Sequence, residues 1–186
     1  LDAVGALDDT VIVFMSDNGL MFGEHRLLYQ KTVPYEESIH VPMIIRGGGF
    51  PAGAEVSEPV SNIDFAPPML DLAGADAGLE VDGRSLLPLA EDPSSTADRP
   101  ILIENGPGNR IVDHYEGVRT RRYTYVEYST GERELYDLVT DPIQADNLSG
   151  RPDMAEVEAK LAQLVTQLQR CSGAACQVEA PTRRDP

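Results

Sequence analysis

The sequence predicts an α/β fold joined to a smaller unit of antiparallel sheet and one long helix. Three observations predict it. Residues 10–15 (TVIVFM) form an unbroken, β-branched apolar run after the turn-like Asp8 and Asp9, the mark of a buried strand. Continuous rather than alternating apolarity suggests burial on both faces, as in a parallel sheet. Beyond about residue 100 the texture changes to short β-favouring segments, followed by a stretch whose apolar residues recur at helical spacing. Length and composition bound this reading. The chain has 186 residues, enough to bury a core. Its 15 Lys and Arg against 31 Asp and Glu give a formal net charge of −16. That charge argues against a general nucleic-acid binder and against docking on an anionic membrane. No stretch is long and apolar enough to span a bilayer. An anionic substrate would be repelled by the overall field, so local cations would have to attract it.

Leu1, Val4 and Leu7 fit the end of an amphipathic helix that leads into the first strand. Ser16, Asp17, Asn18 and Gly19 follow the strand directly. Ligands of open α/β sheets bind beyond the carboxyl ends of strands. Asp17 and Asn18 present a carboxylate and a carboxamide oxygen there, donors that suit a hard cation such as calcium or magnesium. Asp-Asn-Gly is equally an ordinary turn sequence. Gly23, Glu24, His25, Arg26 and then Lys31 add an imidazole, a guanidinium and an ammonium, so the loop has the means to hold a metal and an anionic group together.

Pro34 interrupts any helix, and residues 35–38 read as a polar turn or helical start. Residues 41–45 form the next strand, with Pro42 in its first positions, and Gly47, Gly48 and Gly49 end it in a loop. A helix is expected over 65–72, with Asp64 as N-cap, Pro67 and Pro68 in the first turn and Gly74 just past the end. For Asp64 capping is favoured over catalysis. Residues 91–99 (EDPSSTADR) read as a linker, dividing the chain into units at 1–92 and 93–186. In the second unit, strands are expected at 101–104, 115–119, 123–128 and 134–138. A helix follows on the stripe Met154, Val157, Leu161, Leu164, Val165 and Leu168, fronted by an Asp153–Glu156 capping box. Cys171 and Cys176 form either a short disulfide, implying an oxidising compartment, or a pair of free thiols on a frayed end. Residues 177–186 read as a disordered tail.

Several of these motifs occur together in a recognisable order. Ser16-Asp17-Asn18-Gly19, Gly23-Glu24-His25, Lys31-Thr32, Pro34-Tyr35-Glu36-Glu37-Ser38 and Val41-Pro42 closely resemble the type I sulfatases, and the likeness runs on to about Gln169. Asn62-Ile63-Asp64, residues 82–89 and the segment from Leu135 to Leu148 match further family signatures. The resemblance implies the carboxyl-terminal part of an alkaline-phosphatase-like sulfatase fold with its small closing subdomain. It implies hydrolysis of a sulfate ester on a small molecule or glycan, most like the glucosamine-sulfatase and arylsulfatase branches. Asp17 and Asn18 match the family's cation ligands, calcium most often and magnesium as a substitute. Lys31 matches the lysine that contacts sulfate. His25 either exchanges a proton near the ester oxygen or orients the loop, and Arg26 is assigned to anionic substrate or to the surface. His40 and His114 receive no chemistry.

The family's nucleophile is a formylglycine made in a Cys/Ser-x-Pro-x-Arg motif, and that motif does not occur here. The expectation is therefore a carboxyl-terminal piece, inactive alone, whose partner is the amino-terminal part of the same enzyme, in a secreted or periplasmic protein. Two other readings compete: a phosphate or phosphonate ester hydrolase of the same superfamily, and a non-catalytic binding module built on the fold.

Overall fold

The computed structural model describes residues 1–94, 98–106 and 112–180. Two antiparallel sheets organise the described residues. β1 (Ile12–Met15) pairs with β2 (Met43–Arg46) in register Ile12 to Arg46. Between them lies a loop and the short helix α1 (Glu36–Ile39); after them come α2 (Ala66–Ala73) and α3 (Leu87–Glu91). The second sheet is a meander of β3 (Ile101–Asn105), β4 (Tyr115–Arg119), β5 (Tyr123–Tyr128) and β6 (Arg133–Asp137), each hydrogen-bonded to its sequence neighbour. Helix α4 (Ala155–Leu168) packs across β4 and β5.

The core sits between that helix and that sheet. Leu161, Leu164, Val165 and Leu168 project from one face of α4 onto Val118, Tyr123, Tyr125 and Leu135. The 3.6-residue period of the helix meets the two-residue period of the strands on one shared apolar surface. Truncating a buried leucine such as Leu161, 3 % exposed, would cost about 2–5 kcal/mol. Cys171 is bonded to Cys176 just past the helix, closing a short loop against the same core. By loop entropy that bond contributes about 2 kcal/mol.

Several expectations change. The first strand is neither parallel nor buried on both faces: it pairs antiparallel, and Phe14 is 63 % exposed and Ile44 62 %. Its apolarity signals a surface to be covered, which the described residues leave open on one side. Residues 1–7 hold only a 3-10 turn at Asp2–Val4, stopped by Gly5 in the left-handed region, with Leu1 and Val4 exposed.

Asp64 is not an N-cap. A 3-10 turn at Asn62–Phe65 precedes α2, so Ser61 caps it and Asp64 stands three residues on, its carboxylate accepting the Ser61 N–H at 2.8 Å in a capping box. Gly74 does terminate α2 in the left-handed conformation. The Asp153–Glu156 box does not form: a turn at Pro152–Met154 occupies that place, Asp153 pairs with Arg151, and Glu156 pairs with Lys160. Pro42 lies just before β2 rather than in it.

The polar stretch expected as a linker falls partly outside the described residues, at 95–97, but Asp98 and Arg99 are buried. Of the expected tail, 181–186 lie outside the described residues, whereas Ala180 is buried. Its N–H donates to the Asp98 carbonyl at 2.7 Å, and Arg84 donates to the Val178 carbonyl at 2.6 Å. One backbone bond and one from the Arg84 guanidinium thus hold this polar, patternless stretch in place as far as Ala180.

Candidate functional site

The polar turn at the carboxyl end of β1 is built on α1. The Ser16 hydroxyl donates to the Asn18 carbonyl at 2.7 Å, closing the turn locally. The Gly19 N–H donates to the Ser38 carbonyl at 2.8 Å. A Cβ on Gly19 would lie 1.9 Å from the Glu37 carbonyl oxygen, so only glycine lets the two backbones meet. Asp17 is exposed and Asn18 half-buried. They present two adjacent hard oxygen donors. Calcium takes six to eight oxygens and magnesium near-octahedral coordination, so these two fit part of such a site. Among the described residues, no group of three or more His, Cys, Asp or Glu side chains gathers around a common point.

Residues 21–30 form a small antiparallel loop. Met21, fully buried, anchors it through N–H to the Gln30 carbonyl at 2.9 Å and carbonyl from the Tyr29 N–H at 2.8 Å. Inside the loop, His25, Arg26 and Tyr29 have φ of 51°, 61° and 58°. Left-handed conformations at non-glycine residues cost on the order of 1–3 kcal/mol each and gather at functional sites. The Glu24 carboxylate accepts the Phe22 N–H at 2.6 Å, and bonds from its own and the Phe22 backbone hold its pKa below the usual value.

The His25 imidazole lies flat on the Tyr35 ring, centroids 3.8 Å apart and planes 6° from parallel. Arg26 and Lys31 are exposed. The structure thus places all five sequence-predicted site residues on one continuous stretch after β1. Among the described residues, no hydrogen bond or ion pair joins Asp17 or Asn18 to His25, Arg26 or Lys31.

A second layer ties this stretch to the carboxyl-terminal sheet. The Tyr35 hydroxyl donates to Glu134 on β6 at 3.2 Å, and the Tyr128 hydroxyl reaches the same oxygen at 3.3 Å. Burial first, then the Glu134 carboxylate, pushes the Tyr35 phenol up to about 12. Glu36 takes two bonds from the Arg119 guanidinium, at 3.2 and 3.0 Å, and pairs with His40 at 3.1 Å. Burial alone would push the Glu36 carboxyl up, but the His40 hydrogen bond and then Arg119 outweigh it and hold it at about 2. The Glu36 N–H donates to Gln144, 1 % exposed, at 2.7 Å. The sequence reading missed these partners. Tyr35 and Glu134 stand 99 positions apart, so no local pattern could have joined them.

Comparison with known proteins gives a consistent result. Residues 23–171 match the family model described as N-sulphoglucosamine sulphohydrolase, C-terminal. The chain is 34 % identical to an ulvan-active sulfatase of Formosa agariphila over 90 % of its own length and 35 % of that protein's. It is also 34 % identical to an N-acetylglucosamine-6-O-sulfatase of Bacteroides thetaiotaomicron, over 91 % of this chain and 32 % of the relative. The chain thus spans about a third of the length of these curated relatives. Among solved structures, it resembles a protein in complex with its substrate D-glucosamine-2-N,6-O-disulfate. That likeness has a TM-score of 0.80 and 32 % identity, over 91 % of this chain and 36 % of that one. It also resembles a phosphonate monoester hydrolase of Agrobacterium radiobacter, with a TM-score of 0.76 and 28 % identity over 91 % and 36 %.

Proposed function

We propose that this chain, which belongs to the sulfatase family through its N-sulphoglucosamine sulphohydrolase carboxyl-terminal segment, forms part of the active site of a sulfuric ester hydrolase. The fold is the carboxyl-terminal portion of the alkaline-phosphatase-like sulfatase architecture. The observation that carries the functional reading is the stretch after β1: a hard-donor pair on a turn that Gly19 ties to α1, then a strained loop bearing an imidazole and two exposed cations.

In this reading Asp17 and Asn18 hold a calcium ion, with magnesium as a substitute, which when bound acts as a Lewis acid on a sulfate oxygen. Lys31 places its ammonium against the sulfate and offsets negative charge developing on the sulfuryl and leaving oxygens. His25 holds or releases a proton at the bridging ester oxygen. Arg26 attracts the anionic substrate locally, against a net charge of −16. The nucleophile is a formylglycine in a segment outside this sequence. Cys171 and Cys176 are bonded to each other and neither begins a Cys-x-Pro-x-Arg run, so neither supplies it. The chain alone is then inactive.

A longer polypeptide also accounts for the open face of β1 and β2, since an isolated two-stranded sheet is marginal in water and its exposed Phe14 and Ile44 ask for cover. The solved neighbour's disulfated glucosamine supports a sulfated sugar or small molecule as substrate. The Cys171–Cys176 bond supports a secreted or periplasmic location. No described helix is long and apolar enough to cross a membrane.

The likeness to a phosphonate monoester hydrolase favours a second reading, hydrolysis of a phosphate or phosphonate ester. A peptide map of the protein from its natural source tests the proposal. The expected result is sequence upstream of Leu1 containing a formylglycine followed by x-Pro-x-Arg; a polypeptide that starts near Leu1 would leave a binding module as the better account.

A further inference from the structure

We propose that Glu134 is a positioning residue for His25, acting through the ring of Tyr35, so that the carboxyl-terminal sheet sets the orientation of the imidazole. The inference rests on the reading of His25 as the proton-exchanging group. His25 sits on a loop whose backbone is left-handed at three non-glycine positions. Its ring stacks on the Tyr35 ring, coplanar within 6° at 3.8 Å. A tilt of the Tyr35 ring would therefore tilt the imidazole stacked on it.

Tyr35 is itself held from the far sheet. Its hydroxyl donates to Glu134 at 3.2 Å, and the Tyr136 ring meets it edge-on at 6.3 Å. Glu134 is fixed in turn by the Tyr128 hydroxyl at 3.3 Å, and Tyr128 packs edge-on against Tyr115 at 5.7 Å. Burial and the Glu134 carboxylate raise both the Tyr128 and the Tyr136 phenols, as expected for hydroxyls crowded round one acidic group. Glu134 is half-buried, and one of its oxygens is the acceptor shared by the Tyr35 and Tyr128 hydroxyls. That shared acceptor fixes the Tyr35 hydroxyl, and with it the ring against which His25 stacks.

The test uses the full natural polypeptide with an aryl sulfate, and follows kcat, KM and the NMR resonances of the His25 ring protons, which a stacked phenol ring shifts upfield. Glu134→Leu should lower kcat about 10- to 100-fold with KM within about twofold, because misorientation costs chemistry rather than binding. The same variant should move the His25 resonances downfield. Glu134→Gln keeps an acceptor oxygen and should restore both. Should Glu134→Leu fail to fold, Tyr35→Phe keeps the ring, deletes only the hydroxyl, and should show the same pair of changes. Unmoved His25 resonances with kcat unchanged in a folded variant overturn the inference. If His25→Ala itself retains full turnover, the acid–base reading fails instead, and the resonances alone decide whether Glu134 orients the ring.

Discussion

Replacing Asp64 with alanine should unfold the junction between α2 and the carboxyl-terminal sheet. The carboxylate is 0 % exposed. One oxygen accepts the Ser61 N–H at 2.8 Å; the other accepts the Arg84 N–H at 2.8 Å and the Arg99 guanidinium at 2.8 Å. Removing it strands two backbone donors, at about 1–3 kcal/mol each. It also leaves Arg99, whose side chain is 9 % exposed, as a buried cation without its partner, a loss of about 3–5 kcal/mol on its own. These contributions share one group and do not add. The expected total is at least about 3–5 kcal/mol, a fall in melting temperature of about 6–20 °C for a chain of this size. Asp64→Asn should recover part of it, since one acceptor oxygen survives. Thermal unfolding followed by circular dichroism reads the effect, with the exposed Asp71→Asn as control. A loss below about 1 kcal/mol for Asp64→Ala would refute the claim that this carboxylate organises the junction, and with it the choice of a capping over a chemical role.

Two further predictions follow from the layer behind the candidate site. Glu36 has its folded pKa held at about 2, below the ordinary 4.5, so its ionic contribution is fully present above pH 4.5 and lost as pH falls through 2. Urea unfolding at several pH values should show Glu36→Gln flattening the acid limb in that window, and an unchanged limb would remove Glu36 from the account. His40 has its pKa raised, chiefly by the Glu36 hydrogen bond, so its contribution has the opposite sign: present at low pH and lost above the raised value. Gly19→Ala drives a methyl group to 1.9 Å from the Glu37 carbonyl and should cost about 1–3 kcal/mol; on the proposed role of Asp17 and Asn18 it should also weaken calcium affinity of the full natural polypeptide, measured by titration calorimetry. Wild-type stability and affinity would show that the turn and α1 need not touch.

The elements carried by local pattern were legible. The strands at 115–119 and 123–128 lie where the β-favouring runs place them, and Leu161, Leu164, Val165 and Leu168 of the expected stripe are buried on one face of α4, with Val157 half-buried beside them. Short meander strands and an amphipathic helix declare themselves because their periodicity is set by the neighbours immediately above and below. The strand at 12–15 was legible as a strand but not in its pairing, since an apolar run reports that a surface is to be buried and not by what. The capping role of Asp64 was visible, but its place was read three residues early because a 3-10 turn precedes the helix. Within the candidate site, Asp17, Asn18, His25, Arg26 and Lys31 share one stretch in sequence and in structure. The groups that hold that stretch from behind, Glu134, Arg119 and Gln144, come from 83 to 108 positions away and carry no motif of their own. Long-range polar contacts depend on topology, which local spacing does not encode.

The most direct test of the central claim is sulfate release by the full natural polypeptide from an aryl sulfate and from a sulfated glucosamine, compared with phosphonate release from a matching ester. Sulfate ester should be the preferred substrate, and Asp17→Ala and Lys31→Ala should each lower turnover by about two orders of magnitude or more without lowering the melting temperature. Preferred turnover of the phosphonate, or near-normal sulfate release from both folded variants, would contradict it.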